Sequence, residues 1–264
     1  MLYTRNPYLQ ITVIILCLFI LSCNSSNTPA DKQIVEDPEH MDKKAAENIK
    51  AVLEYAINNT GKVDDSIRLN LSDIVNNFYS STGYGPVWSS KEKWQPLADS
   101  LYTLIANAEL EGLFPKDYHF KNLNALKNKL DTDSLARMDA ALWTRADLMF
   151  TDAFMRLIKD LKQGRLQPDS ITINKDSVTG KDFFIHNLNS LIETKQFTAL
   201  LNAVQPIHKG YWDLKKGIKR FLDSMDRRTY TYVTYPHKKG DTKDSLFFIK
   251  TFQKRLNESN AISF

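Results

Sequence analysis

The stretch DSLARMDAALWTRADLMFTDAFMRLIKDLK, from Asp133 to Lys162, decides the fold. Leu135, Met138, Leu142, Met149, Phe150, Ala153, Phe154, Leu157, Ile158 and Leu161 recur three and four positions apart, which aligns them on one face of an α-helix. Gly164 follows as a stop and Pro168 lies beyond it. The longest periodic segment of the chain therefore reads as one helix with a broad apolar face, and a helix of that kind needs other helices to cover it.

Working outward, the same period returns. Ile49, Val52, Leu53, Ala56 and Ile57 mark a helix over Asp42–Asn59, with Gly61 just past its end. Leu71, Ile74, Val75 and Phe78 mark a short second helix, closed by the turn Gly83-Tyr84-Gly85-Pro86. Ser89 followed by Glu92 has the capping-box pattern and predicts the start of a third, with a stripe of Trp94, Leu97, Ala98, Leu101, Leu104, Ile105 and Ala108 and Gly112 at its end. Downstream, helices are expected over 181–193, 196–204 and Lys209–Asp226, the last on Tyr211, Leu214, Ile218, Phe221, Leu222 and Met225. Thr229 to Tyr235 is rich in β-formers and reads as a lone strand, with no second convincing strand to complete a ladder. A last helix around Ser245–Leu256 presents Phe248, Ile249, Phe252 and Leu256. The expected class is mainly α: a multi-helix domain over 42–228, a short β segment near 229–235, and a partial C-terminal helical module over 229–264.

Composition agrees with a packed chain. Its 264 residues are 42% hydrophobic and 25% charged, which is ordinary for a globular protein. Nine glycines are about half the usual ~7%, too few for a turn-dense all-β fold. The net charge of +4, from 35 basic and 31 acidic residues, gives no basis for nucleic-acid binding, which wants a clustered basic face.

The first 22 residues have the make-up of a secretory signal. Arg5 precedes an apolar run from Ile11 to Leu21, broken only by Thr12, and eleven residues of helix rise about 16 Å, short of a ~30 Å hydrocarbon core. Ile20-Leu21-Ser22-Cys23 resembles a bacterial lipobox, which implies lipidation of Cys23, a membrane-anchored mature protein and a place in the cell envelope. Residues 23–41, polar and rich in Ser, Asn, Asp and Pro, read as a disordered tether.

Catalytic constellations are scarce. Cys17 and Cys23 are the only cysteines, so no thiol nucleophile, Cys-based metal site or disulfide framework is expected in the body. No G-x-S-x-G elbow occurs. The histidines at 40, 119, 186, 208 and 237 form no H-E-x-x-H and no i, i+4 pair. Asp117 and His119 could share a metal, but a capped turn carrying a surface histidine is the plainer reading. Glu109 and Glu111 point some 200° apart on a helix and do not converge as a glycosidase pair would. No catalytic residue, metal or cofactor is assigned.

Four motifs, in order, resemble the scaffold domain of large bacterial murein L,D-transpeptidases. They are Phe78-Tyr79-x4-Tyr84-Gly85-Pro86-x-Trp88; Gly112-Leu113-x-Pro115-x-Asp117-Tyr118-His119; Leu148-x2-Thr151-Asp152-Ala153 with Asp160-Leu161-x2-Gly164-Arg165-x2-Pro168; and Pro206 with Tyr211 and Leu214. Gly240-Asp241 and Arg255-Leu256 are similar to the start of the peptidoglycan-binding insert that follows that scaffold. The resemblance covers roughly residues 70–260.

The resemblance implies a protein of peptidoglycan cross-linking. In that family a cysteine of a separate β-rich domain, within a Ser/Thr-His-Gly-Cys-type motif, carries the acyl transfer, and this sequence has no such motif. Two readings follow: a non-catalytic scaffold that binds peptidoglycan or a wall-synthesis protein, or the front part of a split or truncated L,D-transpeptidase. The second expects the Thr229–Tyr235 strand and the final helix to be unpaired. Most motif residues have a structural reading, glycines and prolines shaping turns and aromatics packing on helices. Asp117 would cap its turn, and Asp160 would pair with Arg165 across the helix end. The sharper reading places Trp88, Tyr118, His119 and Arg165 along a groove for glycan or stem peptide, with Arg165 meeting a carboxylate.

Overall fold

Ala140–Gln163 forms one 24-residue helix, and 18 of its residues are buried. A helix covered on nearly every side is the axis of its domain. The computed structural model describes residues 31–166, 179–234 and 242–259. Its helices, in chain order, are α1 (Met41–Asn58), α2 (Ser72–Thr82), α3 (Pro96–Ala106), α4 (Phe120–Thr132), α5 (Ser134–Arg137), α6 (Ala140–Gln163), α7 (Lys181–Thr194), α8 (Phe197–Val204), α9 (Lys209–Ser224) and α10 (Thr242–Glu258). A two-stranded hairpin, β1 (Ser89–Ser90) with β2 (Lys93–Trp94), precedes α3. Short 3₁₀ turns occupy Ala108–Glu111 and Pro115–Tyr118. The protein is mainly α, as the periodicity predicts.

The chain divides into two compact units, residues 1–215 and 216–264. In the first unit α1, α2, α3, α4, α7 and α8 all pack on α6. The core gathers Leu53, Phe78, Trp88, Leu101, Phe150 and Phe154, each fully buried. A smaller cluster of Met41, Leu130, Ala136, Ala140 and Trp143 closes the end where α6 begins. Gly61 ends α1 with φ +82, and a Cβ there would lie 2.7 Å from the Leu69 carbonyl, so both the turn and the close approach require glycine.

Several local expectations are corrected. The long periodic segment is interrupted at Met138–Asp139, because Asp139 leaves the helical conformation and accepts from Ala141 N, capping α6 afresh. Ser89 and Glu92 form no capping box. Ser89 pairs with Trp94 and Ser90 with Lys93, and the two residues between, Lys91 and Glu92, both take positive φ, as a two-residue hairpin turn of primed type demands. Asp42 holds this turn by accepting from Ser90 Oγ and Lys91 N, at 2.7 and 2.8 Å, and helix α3 starts later, at Pro96. Helix α4 matches no sequence expectation: Leu123 and Leu130 are buried in it, but lysines and asparagines interleave them and dilute the period.

The expected tether is docked from residue 33 onward. Val35 N donates to Met138 O at 2.7 Å, Ala140 N donates to Gln33 O at 2.8 Å, and Gln33 N donates to the same Asp139 carboxylate that caps α6. The expected strand is absent over residues 229–234, which make no ladder; instead the Thr231 amide and hydroxyl both donate to Glu258, each at 2.6 Å, within the second unit. β-propensity alone makes no strand where no neighbour supplies hydrogen bonds. Tyr235, the signal segment, Cys23, Pro168 and Gly240-Asp241 lie outside the described residues. Among the described residues no helix is long and apolar enough to cross a membrane.

Candidate functional site

Helix α6 carries polar residues within its apolar surround, and five of them are engaged by neighbouring segments, while the buried Thr144 hydroxyl has no partner among the described residues. Asp147 and Thr151 lie four residues apart, and Asp152, Arg156 and Asp160 continue at spacings of four from the next position down the helix; Asp147, Thr151 and Asp152 are 1% exposed or less. Buried carboxylates survive only with donors around them. Here the donors come from the turns that connect the surrounding helices.

Asp147 organises the turn after α2. It accepts from Val87 N and from Trp88 N at 2.9 Å, and the Tyr79 hydroxyl donates to it at 2.5 Å. Thr151, one turn further, lies 2.7 Å from the Tyr79 hydroxyl and accepts from Trp88 Nε1 at 2.8 Å. The Trp88 ring sits against Phe150 and Phe154. Burial pushes the Asp147 carboxyl up to about 6, against the pull of Tyr79 and the backbone amides; the same burial, with Asp147 beside it, drives the Tyr79 phenol well above its ordinary range.

Asp152 gathers two other segments. Leu71 N donates to one of its oxygens at 2.7 Å and Asn70 Nδ2 to the other at 2.9 Å, where His119 Nε2 also lies 2.6 Å away. Burial alone would raise this carboxyl; the hydrogen bond and charge of His119, with those from Asn70 and Leu71, outweigh it and hold Asp152 below the usual range. His119 adopts φ +56, between the 3₁₀ turn and α4, a conformation a histidine holds only when fixed from outside. Arg156 donates to Asn70 Oδ1 at 2.6 Å.

Asp160 and Asp117 complete the series. The buried Tyr118 hydroxyl donates to Asp160 at 2.9 Å, and burial raises both groups. Arg165, just past Gly164, donates to Asp117 at 2.5 Å, which raises the guanidinium pKa, and stacks over the half-exposed Phe114 with 4.7 Å to the ring centroid. A cleft lined by Glu111, Gly112, Lys162, Gly164, Arg165 and Tyr211 opens beside this pair. Glu111 pairs with Lys215 at 2.5 Å, and the Tyr211 phenol is pushed up to about 12 by burial and by Glu111.

These positions redistribute the expected groove. Trp88 and Tyr118 are fully buried and line no groove; their polar tips are consumed by Thr151 and Asp160. His119, 11% exposed in its side chain, and Arg165, 37% exposed, do reach the surface. Arg165 pairs with Asp117 and not with Asp160, and Asp117 caps no turn. Asp147, Asn70 and Arg156 are the site residues sequence reasoning missed. The available signal was the run of polar residues at 147, 151 and 152, inside an otherwise apolar helix face. His119 Nε2 faces Asp152 and, at 3.5 Å, Asn70; the pair resembles half of a triad, and among the described residues no hydroxyl is hydrogen-bonded to the imidazole. No cluster of three or more metal-ligating side chains occurs among the described residues.

The first three motifs thus converge on one helix through its buried acids and the turn that ends it, and Pro206 and Tyr211 of the fourth line the cleft beside that turn. A family model described as the scaffold domain matches residues 73–218, from the first turn of α2 into α9. The match spans more than half of the chain, and the protein belongs to this family, that of the L,D-transpeptidase scaffold. No curated protein and no solved structure matches the chain.

Proposed function

We propose that this member of the scaffold family is a lipid-anchored, non-catalytic protein of the bacterial cell envelope that binds peptidoglycan or a wall-synthesis protein. The observation that carries this reading is the engagement of Asp147, Asp152 and Asp160 by the motif segments themselves. Carboxylates locked into backbone amides and phenols hold turns in place; they are not poised to move protons for a substrate. The chain therefore acts as a rigid platform. Its contact face is the rim of His119, Arg165 and the cleft beside Gly164, where Lys162 and Arg165 can meet stem-peptide carboxylates. Cys23 supplies the lipid anchor, on the lipobox resemblance.

Incubation with insoluble murein sacculi at moderate salt tests the binding. Retention is expected, with weaker retention for Arg165→Glu; absence of retention overturns it. Muropeptide coupling by the isolated chain overturns the non-catalytic assignment.

A second reading, the front part of a cross-linking enzyme, is favoured by one observation: residues 229–234 lack a ladder, and Leu246, Phe247, Ile249 and Phe252 of α10 are 44–71% exposed. A reading frame downstream of codon 264 that encodes a Ser/Thr-His-Gly-Cys motif would decide for it.

A further inference from the structure

Helix α9, unlike α1 to α8 before it, buries none of its residues. At 100° per residue, Tyr211, Leu214, Ile218, Phe221 and Leu222 fall within an arc about 100° wide, and Lys209, Asp213, Lys216 and Arg220 fall opposite. Part of the apolar arc is open: Leu214 is 76% and Phe221 63% exposed, while Tyr211, Ile218 and Leu222 are partly covered. Trp212 and Lys219 flank it.

Charge says what covers this face. Residues 209–264 carry 13 Lys or Arg against 6 Asp or Glu, a net +7, whereas the whole chain is +4, so residues 1–208 are net −3. Lys209–Asp213 and Lys219–Asp223 are exposed i, i+4 contacts and Lys215 pairs with Glu111, and the helix by itself, with five basic and two acidic residues, is net +3. A second copy would set one strongly basic region against another, which repulsion disfavours. A wall polymer would satisfy the lysines but offers nothing apolar to Leu214 and Phe221. An anionic lipid surface satisfies both, and a helix of low mean hydropathy with a sharp apolar arc and a basic polar face is the form that lies in such an interface. We infer that Lys209–Ser224 lies along an anionic phospholipid surface, with Leu214 and Phe221 among the acyl chains. The inference stands apart from the peptidoglycan reading, since it concerns a different ligand and rests on Leu214 and Phe221, which do not line that cleft.

The test uses the full chain carrying Cys17→Ser and Cys23→Ser, so that no acyl chain contributes, with an environment-sensitive fluorophore on a single introduced thiol. Leu214→Cys and Phe221→Cys place it on the apolar arc and Arg220→Cys on the opposite one; all three positions are exposed, so the fold tolerates the label. With phosphatidylglycerol vesicles the labels at 214 and 221 are expected to shift to the blue and brighten, the label at 220 to stay unchanged, and the effect to fall with salt and with Lys219→Glu. Phosphatidylcholine vesicles should give little shift. The inference is overturned by no shift on anionic vesicles, by equal shifts on both lipids or on both arcs, by a shift on sacculi but not on vesicles, or by a vesicle-independent shift that grows with protein concentration and so reports a second copy.

Discussion

The hydroxyl of Tyr79 and the carboxylate of Asp147, 68 positions apart in the chain, lie 2.5 Å from each other with both side chains sealed from solvent. Through Asp147 the tyrosine is coupled to the amides of Val87 and Trp88, and through Thr151 to the Trp88 indole. One buried acid thus fixes the end of α2, the turn after it and the ring at the centre of the core. Networks of this kind specify a unique packing when every member is satisfied and cost heavily when one is removed.

Tyr79→Phe removes the donor and leaves Asp147 short of one hydrogen bond in a site water does not reach. A loss of about 1–3 kcal/mol is expected, read as a lower urea midpoint with an unchanged slope. Asp147→Ala, which strands the Val87 and Trp88 amides together with the phenol, should cost more than Tyr79→Phe.

The buried acids should give stability two opposite pH dependences. The Asp147 carboxyl, at about 6 in the folded chain, lies above its ordinary value, so its contribution is complete below about pH 4 and is lost as pH rises through about 6, by on the order of 3 kcal/mol. Asp152 lies below its ordinary value, so its contribution is present above about pH 4 and is lost as pH falls below that. Urea titrations of the wild type and Asp147→Asn at pH 4.5 and 7 should show the wild type losing ground against the variant as pH rises. A constant difference would refute the assignment.

Asp152→Ala strands Leu71 N, Asn70 and His119 at once, and a loss of about 3 kcal/mol is expected. His119→Asn keeps a donor on a residue that tolerates left-handed backbone better than most, and should cost less than His119→Ala. Thermal unfolding of the three variants checks the order.

Glu92 holds a positive φ in the hairpin turn, a position where glycine carries no steric penalty. Glu92→Gly should stabilise by about 0.5–1 kcal/mol, since relief of left-handed strain exceeds the added freedom of the unfolded chain. A higher melting temperature in calorimetry is the expected result, and a lower one would mean that the turn is not strained.

Much of this was legible in the residues. Helical period located α1, α2, α6, α7, α8 and α9, because burial of one face writes a repeat into the chain. Gly112 and Gly164 marked ends where the backbone takes positive φ. Helix α4 was hidden because its few apolar positions are spaced among lysines and asparagines. Trp88 and Tyr118 were misplaced in a groove because an aromatic with a polar tip reads alike whether the tip meets solvent or a buried partner.

What the amino-acid order determined by itself is the local part: which segments coil, where they stop, and which thiols are absent from the body. Those outcomes depend on neighbours within a turn or two, so periodicity and turn chemistry suffice. Tertiary structure alone decided the pairings of Asp147 with Tyr79, Asp152 with His119, and Asp117 with Arg165. A buried charge takes whichever donors the packed helices bring within 3 Å, and that choice is made by the way the helices stack against α6.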